Sequence, residues 1–156
     1  MPTRDVVPLL EVSLEMNATP QRVWSVVADP LAIAALSPQV LRTVVVDGAP
    51  VRVGTRLYNI NRQGLALWPT RAVVTEFEPV HRFAFRVRDN RATWSFTLEP
   101  VEGGTRVTHR REMNHGTTAA SAALIDLGGG GQERYAAAMR RGMQRTLDRV
   151  REVVER

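Results

Sequence analysis

Two side chains in the C-terminal half have the spacing of a ligand-binding or catalytic pair. His109 and Arg111 are two residues apart in a segment of alternating polarity, so a strand would place them on one face, inward if Val107 and Met113 face inward. An imidazole can exchange a proton near neutral pH, whereas a guanidinium binds or polarises an oxygen but cannot act as a base. Both are candidate catalytic and ligand-binding residues. Alternatively, the strand ends or bulges before Arg111, which then lies in solvent, and His109 only forms a hydrogen bond with a neighbour.

The polar segment 56–62 is a second candidate, and its alternation allows two orientations. Leu57, Asn59 and Asn61 share one face, while Tyr58 and Ile60 share the other. Asparagines inside an apolar cavity would suit a ligand carbonyl or hydroxyl. In the alternative, the tyrosine and isoleucine face inward and the asparagines face water. Periodicity does not decide between them, and we favour Leu57 and Asn59 inward as ligand-binding residues.

The other candidate ligand-binding residues are apolar. Aromatic rings on adjacent strands would favour flat or apolar ligands if they line a cavity, and would be ordinary core if they are simply buried. Methionines on a helix adapt to varied ligand shapes, or equally pack a helix on a sheet. These candidates are Trp68, Phe83, Phe85, Trp94, Phe96, Met139 and Met143.

Absences in the composition exclude several chemistries. The 156 residues contain no cysteine, and all 21 basic residues are arginine. A Schiff-base or P-loop lysine, a cysteine nucleophile and a thiolate metal site are therefore excluded. The three histidines, His81, His109 and His115, are scattered and no acidic cluster accompanies them. We therefore expect no metal and no cofactor.

The charge balance argues weakly about partners. A net charge of +5 is modest, and the pI of about 11.1 overstates basicity because little titrates between neutral pH and the arginine range. We expect no nucleic-acid partner, although an arginine face on the last helix leaves contact with nucleic acid or an anionic membrane as a third interpretation. Among the arginines, we expect Arg111 to enter a cavity, with Arg56 or Arg62 as further candidates.

No apolar run approaches the 18 residues of a membrane span, and no apolar signal core follows the first residues. We therefore expect a cytoplasmic protein with no integral membrane segment. The length favours a single domain over residues 1–156.

The elements that must position these residues follow an α+β order. Alternation, caps and turn signals predict strands at 8–16, 40–46, 53–62, 68–77, 82–88, 92–99 and 105–113, with helices at 21–28, 31–36 and 133–156. Short separators imply an antiparallel meander of six to seven strands, which must curl. The long last helix is the element able to cover its apolar face. Because one helix touches a curved sheet along a line, we expect a cavity between them, closed at one end by the two short helices.

Residues 114–132 differ from the rest because small residues dominate. Four glycines at 128–131 predict a flexible break, and 119–127 could hold a helical turn or two. We expect this segment to be a mobile lid over the cavity mouth.

Several segments make the chain resemble the START-like superfamily, also called SRPBCC, and within it the bacterial polyketide cyclase/dehydrase branch. The resemblance covers about residues 10–154. It is carried by NATPQRVW at 17–24 with Asp29-Pro30, VGTR at 53–56, NRQG at 61–64 with Trp68, EFEP at 76–79, RFAF at 82–85 and GGTRVT at 103–108. It implies a helix-grip fold with a deep cavity for hydrophobic or aromatic small molecules.

The resemblance leaves two functions open. One is binding of a lipid-, polyketide- or quinone-like molecule between sheet and helix. The other is a polyketide cyclase/dehydratase that positions a poly-ketone chain for aldol closure, with Arg111, His109 and Tyr58 or Asn59 stabilising enolate oxygens or moving protons. We favour binding, because the acid–base residues form no defined catalytic group.

Overall fold

The computed structural model describes residues 9–48, 50–113 and 131–156. The predicted lid and the helical turn at 119–127 lie outside the described residues, apart from the last two positions of the lid segment.

The described residues form seven strands and three helices in the predicted order. They are β1 (Leu9–Met16), α1 (Pro20–Val27), α2 (Pro30–Leu36), β2 (Val40–Val45), β3 (Arg56–Gln63), β4 (Ala66–Glu78), β5 (Arg82–Val87), β6 (Thr93–Val101), β7 (Gly104–Glu112) and α3 (Gly131–Val154). The predicted α+β fold with a curved antiparallel sheet around a long C-terminal helix is confirmed.

One antiparallel sheet contains all seven strands in the order β1-β7-β6-β5-β4-β3-β2. Strands β2 to β7 follow one another as a meander, and β1 joins the far edge by pairing with β7, with Val12 opposite His109. Helix α3 packs against β1, β7 and both short helices. Its residues Met143, Leu147 and Val150 are buried against the sheet, so the core lies on the concave side.

The two short helices begin where local chemistry dictates. Each has proline in its first turn, where the missing N–H costs nothing. The Thr19 hydroxyl caps α1 by accepting from the Arg22 N–H at 3.2 Å. The Asp29 carboxylate caps α2 by accepting from the N–H groups of Leu31 at 3.0 Å and Ala32 at 3.4 Å. These caps fix where the two helices begin.

One predicted boundary is wrong by three residues. The strand predicted from residue 53 begins at Arg56, because residues 53–54 form a turn in which Gly54 has a φ of 92°. The Arg52 N–H donates to the Thr55 hydroxyl at 2.9 Å and closes that turn. β-branched residues before the turn resemble a strand, and the pattern does not reveal the turn.

Arginines on the convex face of the sheet pair with carboxylates across strands. Arg110 Nε lies 2.6 Å from a Glu11 oxygen, and Arg106 Nη2 lies 2.8 Å from Glu15, its direct partner on β1. Exposed pairs of this kind contribute only about 0.2–1 kcal/mol each. Their main effect is to neutralise much of the basic charge on the outside of the sheet.

Candidate ligand-binding cavity

A cavity of about 130 Å³ lies between the concave face of the sheet and α3, with α2 across one end. Nine of the eleven residues predicted to contact a ligand line it: Leu57, Asn59, Phe83, Phe85, Trp94, Phe96, His109, Met139 and Met143. The curved meander gathers the first seven because each strand turns alternate side chains inward, and α3 supplies the two methionines. Their contact with a ligand remains a prediction.

Strand pairing settles which face of β3 lies inward. Leu57 is buried and opposes buried Ala72, while Tyr58 is 39% exposed. Asn59 and Asn61 therefore line the cavity, as we favoured, and the alternative with Tyr58 inside is wrong.

The two asparagines form a polar wall with neighbouring threonines. The Thr43 hydroxyl lies 2.7 Å from Asn59 Oδ1. Asn61 Nδ2 donates to the Thr70 hydroxyl at 2.9 Å and to the Trp68 carbonyl at 3.3 Å. These bonds partly satisfy the amides inside a mainly apolar space, and each amide keeps capacity for a further partner.

His109 lies inside the sheet–helix layer and is only 5% exposed. Its Nδ1 lies 2.9 Å from the Ser95 carbonyl oxygen. Its ring stacks on Phe96 with centroids 4.0 Å apart and planes 4° from parallel, and Trp94 lies 5.5 Å away. Burial lowers the pKa of His109 from 6.5 to about 4, although the bond to Ser95 opposes the shift. The imidazole is therefore neutral at physiological pH.

Arg111 faces inward as predicted but does not line the cavity. Its guanidinium carbon lies 5.7 Å from the ring centroids of both Trp94 and Tyr135. It is 5% exposed, and its Nε has no hydrogen-bond partner within the described ranges. Burial lowers the pKa of Arg111 and raises that of Tyr135. Trp94 contacts both this arginine and the cavity, so the charge lies behind the cavity wall.

Three other residues that were predicted to enter the cavity do not line it. Trp68 opposes Asn61 and is half-buried, but lies nearer the β3–β4 turn and is not part of the lining. Arg56 is exposed and paired with Asp47 at 2.7 Å, and Arg62 Nε donates to the Gly64 carbonyl at 3.0 Å. The predicted positions of these arginines are wrong. Both lie on the face of β3 that points away from the cavity, and Arg62 is also next to the β3–β4 turn.

Part of the cavity lining was not predicted from the sequence. On α3, Gly142 and Thr146 line the cavity beside Met139 and Met143. Residues spaced by three and four positions share one helix face, so the two methionines already indicated these positions. Ile33 and Ala34 on α2 carried no such signal, because their place depends on how α2 crosses the sheet. Of the described lining residues, His109 is the one titratable group and none carries a full charge at neutral pH.

A curved antiparallel sheet around a C-terminal helix, with a neutral and mainly apolar cavity between them, defines a helix-grip domain. The chain belongs to the family described as polyketide cyclase/dehydrase and lipid transport, whose family model matches residues 8–155. The sequence resemblance is therefore confirmed. No curated protein matches the chain.

Solved structures share this fold at low identity. A protein of Thermus thermophilus, TTHA0849, superposes with a TM-score of 0.74 at 18% identity, covering 94% of this chain and 97% of that one. The ZhuI aromatase/cyclase of Streptomyces sp. R1128 gives 0.73 at 15%, covering 95% and 93%. The polyketide-cyclase-like protein Cgl2372 of Corynebacterium glutamicum gives 0.60 at 26%, covering 94% and 91%. No helix in the described part of the chain is long and apolar enough to cross a membrane.

Proposed function

We propose that this protein binds a hydrophobic or aromatic small molecule of lipid-, polyketide- or quinone-like character between the sheet and α3. The observation that carries the proposal is the cavity: apolar side chains, aromatic and methionine residues among them, form most of its wall, and several polar groups converge on it. This combination is typical of small-molecule sites, in which apolar area supplies affinity and polar groups fix orientation. Family membership supports the same assignment.

The cavity volume limits what fits without rearrangement. An engineered protein cavity of about 150 Å³ holds one benzene molecule, so a space of about 130 Å³ suits one ring. A longer or multi-ring ligand requires the wall to move. Met139 and Met143 are the wall residues best able to do so, because an unbranched thioether side chain changes rotamer easily.

The methionines provide a direct test. Met139 and Met143 line the cavity, whereas Met16 and Met113 are buried elsewhere and are not part of the lining. With ¹³C-methyl methionine, added p-cresol should shift the first pair of methyl resonances and leave the second pair unchanged. Equal shifts at all four, or none at saturation with a range of one-ring compounds, would refute binding in this cavity.

A blocked variant strengthens that test. Gly142 lies on the cavity face of α3, so Gly142→Leu should fill the space and abolish the shifts at Met139 and Met143. Leu65→Ser is the matched control, because Leu65 is 99% exposed at the β3–β4 turn and lies away from the lining. Unchanged Met16 and Met113 resonances show that each variant is folded.

A cyclase/dehydratase activity is the second candidate, favoured by the structural likeness to ZhuI, itself described as an aromatase/cyclase. His109 is the one described lining residue able to accept a proton, but a pKa of about 4 makes it a weak base at neutral pH. Binding therefore remains the preferred function. Turnover of a poly-β-ketone mimic by the native protein, lost in His109→Phe, would reverse this preference.

A further inference from the structure

Backbone carbonyls fix the hydrogen-bonding direction of two side chains in the cavity wall. A carbonyl oxygen can only accept, so a ring or amide nitrogen beside it must donate. This removes the usual ambiguity of histidine tautomers and asparagine orientations.

His109 is the first of these side chains. Since Nδ1 lies 2.9 Å from the Ser95 carbonyl oxygen, Nδ1 carries the hydrogen. A neutral imidazole has one N–H, so Nε2 has a free lone pair. Burial lowers the pKa to about 4 and preserves that neutral state at physiological pH. Within the described ranges no donor is paired with Nε2, which makes it an open acceptor on a residue that lines the cavity.

Asn61 is the second. Its Nδ2 donates to the Trp68 carbonyl and the Thr70 hydroxyl, so Oδ1 is the atom left to accept. Three strands separate it from β7 in the sheet, so it lies at a different part of the same wall. These two acceptors have fixed polarity and no described side chain on the wall is charged, so a ligand group that lies beside His109 is favoured when it donates a hydrogen bond.

We propose that the cavity selects a neutral ring that carries a hydroxyl donor, a phenol or enol, with His109 Nε2 as the acceptor. The inference rests on the proposed binding function and names its ligand class. A ketone or ether of the same size presents only acceptors and leaves Nε2 buried without a partner, which is costly. A carboxylate loses its hydration without gaining a cation in the described wall.

Two isomers test this with equal size and composition. p-Cresol and anisole contain the same atoms, but only p-cresol has an O–H. Dissociation constants come from the Met139 and Met143 methyl shifts, with benzoate as the anionic arm. We expect p-cresol to bind about tenfold more tightly than anisole, and benzoate to bind most weakly.

Variants assign the preference to one atom. His109→Phe keeps a ring against Phe96 but has no acceptor, so the p-cresol to anisole ratio should fall to about one while anisole still binds. Thr108→Val, one residue along β7 on its other face, should leave the ratio unchanged. If His109→Phe does not fold, the ¹⁵N resonance of Nε2 in the native protein gives the answer. It should move on addition of p-cresol and stay in place with anisole.

The outcomes are distinguishable. Equal affinities for the isomers, with both shifting Met139 and Met143, overturn hydroxyl selection and leave the binding function standing. A tenfold ratio that survives in His109→Phe removes His109 as the acceptor. If neither isomer shifts the two methionines, the proposed function itself fails.

Discussion

Residues of the same type have different roles in this chain according to what surrounds them. Arg106 and Arg110 lie on the convex face beside carboxylates and mainly neutralise charge. Arg111 belongs to the same strand but lies between two aromatic rings with its Nε unpaired among the described residues. Alternation predicted which way each would point. It could not predict that Trp94 separates Arg111 from the cavity, because that depends on the neighbouring strand and on Tyr135.

The neutral state of His109 predicts a specific acid sensitivity. Unfolded histidine has a pKa near 6.5 and the folded residue about 4, so between these values only the unfolded chain takes up the proton. Stability is therefore lost as pH falls from 6.5 to 4. Relative to pH 7, wild type should lose about 2–3 kcal/mol more than His109→Phe at pH 4.5, measured by urea unfolding.

The comparison isolates one group. The contributions of the carboxylates to the pH dependence are present in both proteins and cancel. Arg111, on the same strand face, stays charged over this pH range. His81→Phe, at an exposed position, is the control for replacing a histidine by phenylalanine. Parallel pH profiles for wild type and His109→Phe would show that burial of His109 does not disfavour its proton.

At the scale of elements, strand and helix positions could be predicted because alternation, caps and turns are local signals. Thr19-Pro20 indicated the start of α1 and Asp29-Pro30 its end. The inward face of β3 could not be settled from the sequence, since one alternation buries Leu57 with two asparagines and the other buries Tyr58 and Ile60. The decision came from β4, where Leu57 faces Ala72 and Asn59 faces Thr70. Likewise, the hydrogen-bond polarity of His109 depends on a carbonyl fourteen residues away, which no local pattern contains.

Adjacent glycines at the start of β7 should respond very differently to alanine. A Cβ at Gly104 would overlap the Met16 carbonyl oxygen, so β1 and β7 must separate there. At Gly103 the space is open, but φ is 82°. We expect Gly103→Ala to cost about 1 kcal/mol of unfolding free energy and Gly104→Ala about 3 kcal/mol, from urea midpoints. Equal costs would mean that the junction of β1 and β7 relaxes freely.

The Asp29 cap should matter for stability and for the cavity. Asp29→Ala removes the acceptor for two N–H groups at the start of α2 and should cost about 1 kcal/mol, whereas Asp29→Asn should be almost neutral. Because Ile33 and Ala34 on this helix line the cavity, p-cresol should also bind more weakly to the alanine variant. Faster amide exchange at Leu31 and Ala32 in Asp29→Ala only would place the effect at the cap. Unchanged exchange would contradict it.

At the scale of the whole molecule, α3 covers the concave face of the sheet and leaves a cavity beside it. Gly142 indicates a compromise between helix stability and cavity volume, because a glycine inside a helix costs about 1 kcal/mol relative to alanine. Its added Cβ would lie 3.3 Å from Gln39 Nε2, the flexible end of another lining residue. We interpret Gly142 as a residue that lowers the stability of α3 and keeps the cavity open.

Gly142→Ala should therefore stabilise the protein and weaken binding together. We expect the unfolding free energy to rise by about 0.5–1 kcal/mol, and p-cresol affinity to fall several-fold as the cavity shrinks. Thermal unfolding and the methionine methyl titration measure the two effects. Arg140→Ala, on the exposed side of α3, is the control for helix propensity alone. A variant both less stable and unchanged in affinity would contradict the compromise.

The pairing of β1 with β7 also has a consequence in time. Met16 and Thr105 are partners although 89 residues separate them, and Leu9 and Glu112 are further apart still. At a synthesis rate of about 5–20 residues per second, a nascent β1 waits on the order of 5–20 s before its partner strand exists. During that interval its apolar face, from Leu10 to Met16, has no β7 to pair with and is open to wrong partners. We therefore expect a chaperone that binds extended apolar segments to bind β1 while the ribosome is still translating the rest of the sheet.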